Sequence, residues 1–136
     1  MSDFGPASKA KLATCHPDLQ RLFNRVNALW PCTIQYGQRT PEEQAELVKS
    51  GASKTLNSKH VNAPALAADV TPDPLDWKDT ARFYYFGGFV TRLAEEMGIR
   101  VRWGGNWDGD MQVKDQNFND LVHWELVDAG VENEHF

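Results

Sequence analysis

The sequence predicts an α+β fold: a small, mostly antiparallel sheet of short strands, backed by helices. Apolar residues recur at helical spacing at about 18–30 and 76–97, and a capping signature opens a third helix at about 41–50. Between these segments lie short runs rich in β-branched and aromatic residues, bounded by Gly and Pro. The chain has 136 residues, 41% of them hydrophobic and 24% charged, which suits one soluble domain spanning residues 1–136. A domain of this size buries roughly 65–70% of its unfolded surface.

The same totals exclude several classes. Intrinsic disorder does not fit this composition, and no apolar run approaches the ~18 residues of a membrane helix. A net charge of −5 without a dense Lys/Arg cluster argues against a nucleic-acid partner. The start, Met1-Ser2-Asp3-Phe4-Gly5-Pro6, lacks the basic and apolar regions of a secretory signal. The product is therefore expected in the cytosol that makes it, so action outside would need separate release. Cys15 and Cys32 form no C-x-x-C pair and are expected as two buried thiols rather than a disulfide.

Leu19, Leu22, Phe23, Val26 and Leu29 lie on one helical face, behind Pro17-Asp18 as a helix start with His16 or Thr14 just outside it, His16 reading as a cap or a surface residue. Thr33–Gly37 reads as a strand running into Gln38-Arg39-Thr40-Pro41. There Thr40 and Glu43 make a capping box, leaving Arg39 at a strand-to-helix junction. Gly51 ends this helix and opens a polar loop, Gly51 to His60, of the kind that carries function. Val61–Leu66 is expected to turn into a short buried strand, Ala67–Thr71. A helix follows from Asp76-Trp77 to about Met97, with Phe83, Phe86, Val90, Leu93 and Met97 as its stripe, widened by Tyr84, Phe89 and Ala94. Gly98 stops it, and Ile99–Trp103 reads as a strand. Leu121–Val127 is the last strand, with His123 and Glu125 on one face and Val122, Trp124 and Leu126 on the other. Residues 130–136, His135 included, read as a loose polar tail.

The chemistry concentrates in Ser58-Lys59-His60, Asp69 and Asp120-Leu121-Val122-His123-Trp124-Glu125. Two histidines and a carboxylate can hold zinc and leave a fourth position for water. Asp69 in an Ala-Ala-Asp-Val setting needs a cation or several donors, because an unpaired buried carboxylate is costly. A further carboxylate is needed as proton acceptor. Asp120 would face away from His123 on a flat strand, three residues off, so it joins only if the chain bends near Leu121; Glu125, on His123's face, is the physical runner-up. No H-E-x-x-H motif is present. In Gly104–Asp110, Asn106, Asp108 and Asp110 alternate like the opening of a calcium loop. No glutamate stands at the twelfth position, so Ca²⁺ is a secondary expectation against a solvated turn.

Gln38-Arg39-Thr40 with Gln44, Ser58-x-His60, Ala67-x-Asp69, Asp120-x-x-His123-Trp124-Glu125 and the block Arg-Trp-Gly-Gly-Asn-Trp at 102–107 together resemble the zinc peptidases that cut peptidoglycan peptides. That family comprises D-alanyl-D-alanine carboxypeptidases, D-alanyl-D-alanine dipeptidases and phage L-alanyl-D-glutamate endolysins, and the small size points to the last. The likeness spans about residues 14–127. One departure stands out: the family places the aspartate seven residues after the first histidine, with a glycine between. Here it is nine, through Asn62-Ala63-Pro64-Ala65, which a two-residue turn insertion accounts for.

The resemblance implies a hedgehog/DD-peptidase-like fold with one Zn²⁺ on the open sheet face, held by His60, Asp69 and His123. Asp120 would be general base and later acid. Arg39 would hold the developing oxyanion, and Ser58, Gln44, Trp103 and Trp124 would support the ligands or touch substrate. It also implies a peptidoglycan stem peptide as substrate, a monomer, and synthesis in the host cytoplasm before release to the wall. Two other outcomes stay open: D-alanyl-D-alanine cleavage by the same chemistry, or a zinc-stabilised wall-binding module without turnover.

Overall fold

The computed structural model describes residues 3–51, 58–105 and 120–127. In chain order it has α1 (Pro6–Leu12), α2 (Pro17–Leu29), β1 (Cys32–Tyr36), α3 (Pro41–Lys49), a 3₁₀ turn (Lys59–Val61), β2 (Ala67–Pro72), α4 (Thr80–Glu96), β3 (Val101–Gly104) and β4 (Asp120–Leu126). The strands form one sheet in the order β1-β2-β4-β3, each neighbouring pair antiparallel. Among the described residues, no helix is long and apolar enough to cross a membrane.

Alternation divides the sheet chemically. One face presents Ile34, Ala68, Val70, Trp103, Trp124 and Leu126 to Leu19, Leu22, Phe23 and Val26 of α2 and to Phe86, Val90 and Leu93 of α4, and this is the core. The other face carries Asp69, Thr71, His123 and Glu125, all buried. Gly87 lets α4 approach the sheet closely, since a Cβ there would fall inside the Trp103 indole.

The caps form as the sequence implies. His16 Nδ1 accepts from the Asp18 amide at 3.0 Å. Thr40 and Glu43 exchange side-chain bonds with each other's backbone at 3.0 and 2.8 Å. Gly51 and Gly98 take positive φ at the ends of their helices. Both thiols are free and buried.

The N-terminal segment makes a helix of its own, α1, whose Ser8 hydroxyl accepts from the Ile34 amide of β1 at 3.0 Å. Three local expectations are corrected. Leu29 is 52% exposed, because α2 ends there and Trp30 takes the core-side contacts against Phe86 and Phe89. Helix α4 begins at Thr80, capped by Asp79; Asp76 instead accepts from the Lys78 amide in a separate turn. Strand β3 starts at Val101, since the Ile99 amide returns to the Ala94 carbonyl and closes α4. The expected calcium positions Asn106, Asp108 and Asp110, the loop at 52–57 and the tail at 130–136 lie outside the described residues.

Candidate metal centre

Strand pairing creates the centre. Asp69 of β2 stands directly opposite His123 of β4, and the 3₁₀ turn carries His60 over the same point. Asp69 Oδ1 lies 3.2 Å from His60 Nε2 and 3.2 Å from His123 Nδ1. Ligand atoms of all three residues lie within 4.8 Å of one another, and the three are buried. Two atoms each at about 2.0–2.1 Å from a tetrahedral zinc lie about 3.3–3.4 Å apart, so the two 3.2 Å separations fit such an ion. The longer connection from His60 to Asp69 is absorbed in the turn without separating the pair.

The outward nitrogens are held as well. His60 Nδ1 lies 2.7 Å from the Gly37 carbonyl, which can only accept, so Nδ1 is the donor there and Nε2 is the nitrogen that faces Asp69. His123 Nε2 lies 2.8 Å from Glu125 Oε1. The other carboxylate oxygen of Glu125 accepts from Arg102 at 3.0 Å and pairs with Lys59 at 3.4 Å. Partners behind each imidazole are what metal-binding histidines require for a fixed ring and tautomer.

The electrostatics follow from this crowding. Burial alone would raise the Asp69 carboxyl, but hydrogen bonds and charge from His123 and His60 outweigh it and hold it well below the usual carboxylate range. Burial alone would lower the His123 imidazolium, yet Asp69 and Glu125 push it up to about 9. Glu125 is likewise lowered despite burial, through His123, Arg102 and Lys59. Asp120 moves the other way: burial first, then the Asp69 charge, raise it above the ordinary value.

Asp120 reaches the site through a break in register. Trp103 pairs with Trp124, but the next residue, Gly104, pairs with Asp120 rather than with His123. This bulge supplies the bend that a flat strand lacks. Only glycine fits there, because a Cβ on Gly104 would fall against the Asp120 carbonyl. Asp120 thereby comes within range of the charges on Asp69, His123 and His60.

The remaining expected site residues divide. Arg39 does not project freely: it donates to Gln44 Oε1 at 3.1 Å and to Asp69 Oδ2 at 3.4 Å, with its guanidinium 5.1 Å from the Tyr36 ring centroid. Gln44 is fully buried behind it. Ser58 caps the 3₁₀ turn, its hydroxyl accepting from the His60 amide at 3.1 Å. Trp103 and Trp124 are not brought to the sheet face that carries Asp69 and His123; they stack on each other in the core at 5.6 Å, and Trp124 packs on Phe23. The alternation of β4, which sets Trp124 opposite His123, already signalled this. Sequence reasoning missed Gly37, Lys59 and Arg102, because their contacts depend on strand order. For Glu125 it found the face but not the partner.

The chain itself matches known proteins along nearly its whole length. The L-alanyl-D-glutamate peptidase of Escherichia phage T5 is 31% identical over 135 residues, covering 91% of this chain and 97% of that protein. The crystal structure of the Serratia marcescens L-Ala D-Glu endopeptidase ChiX is similar with a TM-score of 0.74 at 31% identity, covering 91% of this chain and 89% of that one. Residues 1–127 match the family model for phage L-alanyl-D-glutamate peptidase, and the chain belongs to that family.

Proposed function

We propose that this chain is a zinc peptidase that hydrolyses the L-alanyl-D-glutamyl bond in the stem peptide of bacterial peptidoglycan, as a phage lysis enzyme. The observation that carries this reading is the convergence of His60 Nε2, Asp69 Oδ1 and His123 Nδ1 in a buried cluster whose outward nitrogens are already engaged. Names of the T5 and Serratia relatives supply the bond.

His60, Asp69 and His123 would hold the ion. Zinc, when bound, supplies a Lewis acid and lowers the pKa of a coordinated water to about 7. Asp120, raised by burial and by Asp69, is tuned to accept the proton of the attacking water and return it to the leaving amine. Arg39, braced by Gln44 and Asp69, puts a cation beside the Asp69 carboxylate, available to the negative charge that develops on the scissile carbonyl. Ser58 fixes the turn that carries His60. Glu125 is a poor base here, because both its oxygens are engaged by His123, Arg102 and Lys59.

Incubation of the protein with purified peptidoglycan, with and without a chelator, tests the reading. New amino-terminal D-glutamyl ends, identified by mass spectrometry and lost with chelator, are expected. Release of D-alanine would reassign the bond. Wall binding without any new terminus would leave a binding module and overturn the proposal.

A further inference from the structure

Glu125 sits where two carriers of the metal ligands meet. Its Oε1 takes the Nε2 side of His123 at 2.8 Å, while its Oε2 is gripped by Arg102 of β3 and Lys59 of the 3₁₀ turn. Lys59 adjoins His60 and also donates to the Leu126 carbonyl at 2.7 Å, binding the His60 turn to the strand that carries His123. Two backbone bonds run alongside, Leu66 amide to Lys59 carbonyl and Leu126 amide to Leu66 carbonyl, both 2.9 Å. The carboxylate is 6% exposed and lies directly across from Arg102 in the β3–β4 register. A buried carboxylate with two cations on one oxygen and an imidazole on the other is fixed in place.

We propose that Glu125, held by Lys59 and Arg102, is the positioning residue of the metal centre: it fixes the His123 ring so that Nδ1 faces the ion, and it ties the His60 turn to β4. The inference rests on the zinc reading above and adds a role for three residues that neither bind the ion nor move the reacting proton. A carboxylate behind a metal-binding histidine typically contributes about 10–100-fold in metal affinity. A general base instead contributes about 10²–10⁴-fold in rate. The two roles therefore separate in measurement.

Glu125→Gln keeps the shape and one acceptor oxygen but loses the charge that draws both cations. Its zinc dissociation constant, measured by chelator competition, is expected to rise about 10–100-fold. At saturating zinc its kcat is expected within about tenfold of the parent, outside the range for a lost base. In the zinc-loaded parent, ¹⁵N NMR is expected to find the His123 proton on Nε2. Unchanged zinc affinity, with or without loss of kcat, would overturn the proposal, as would a proton on Nδ1. If circular dichroism shows that Glu125→Gln does not fold, Lys59→Met is read instead, with weaker zinc binding expected and unchanged binding again overturning the idea. Failure of the parent itself to hold zinc would refute the peptidase reading, and is seen before any variant is made.

Discussion

Gly104→Ala tests how Asp120 is delivered. A Cβ on residue 104 would stand 2.7 Å from the Asp120 carbonyl carbon and 3.0 Å from its Cβ, and closer still to the carbonyl oxygen. Ordinary contact begins at 3.4 Å, so the carbonyl carbon alone is about 0.7 Å too near. Neither atom is the free end of a flexible side chain, so β3 and β4 must part by roughly 1 Å at the bulge. A catalytic group misplaced by about 1 Å costs about 10²-fold in rate, or about 2.7 kcal/mol of transition-state stabilisation. Overpacking adds about 1–3 kcal/mol of lost stability. Zinc content should stay at the parent level, since the Asp69–His123 pairing lies on the opposite side of β4 from β3. The assay is kcat/KM on a purified stem-peptide substrate, with metal analysis and a thermal melt on the same samples. Gly88→Ala is the control: its Cβ meets nothing within 4 Å on an exposed turn of α4, so it should stabilise by about 0.5–1 kcal/mol and leave turnover alone. Full activity in Gly104→Ala would refute the argument that the bulge places Asp120.

Further expectations concern the ligands, the cation and the thiols. His60→Ala and His123→Ala should each abolish zinc retention, whereas Asp120→Ala should keep zinc and lose about 10²–10⁴-fold in kcat; metal analysis beside turnover separates the two patterns. Arg39→Ala should lower kcat by about 10²-fold if it stabilises the oxyanion, and a change confined to KM would assign it to substrate binding instead. Burial raises the Cys15 thiol to about 11, from an ordinary 9.0. The Cys15 contribution to stability is therefore at its full value below pH ~9, where the unfolded thiol is still protonated, and falls as pH rises towards 11, by up to about 3 kcal/mol; Cys32, also raised by burial, adds to the loss over the same range. Denaturant melts at pH 8, 9.5 and 11 measure this, and a flat profile would contradict it. At pH 8 both thiols should resist iodoacetamide until the protein unfolds.

The sequence by itself determined whatever depends on near neighbours in the chain. The Thr40–Glu43 box, the glycine stops at 51 and 98 and the apolar stripes of α2 and α4 are set by hydrogen-bond and side-chain geometry within a few residues, and apart from the exposed Leu29 they stand where the pattern places them. That His60, Asp69 and His123 come together was legible from their motifs, and the alternation of β4 was enough to put Glu125 beside His123. Tertiary structure alone decided the rest. Strand order β1-β2-β4-β3 sets Asp69 against His123 across a gap of 54 residues, and the bulge at Gly104 turns Asp120 towards them. The same order brings Lys59 and Arg102 onto Glu125 and buries Trp103 and Trp124, which motif matching alone would leave at the metal site. Such pairings arise between segments with no local preference for each other, through the burial of one sheet face against α2 and α4 and the register that this burial enforces.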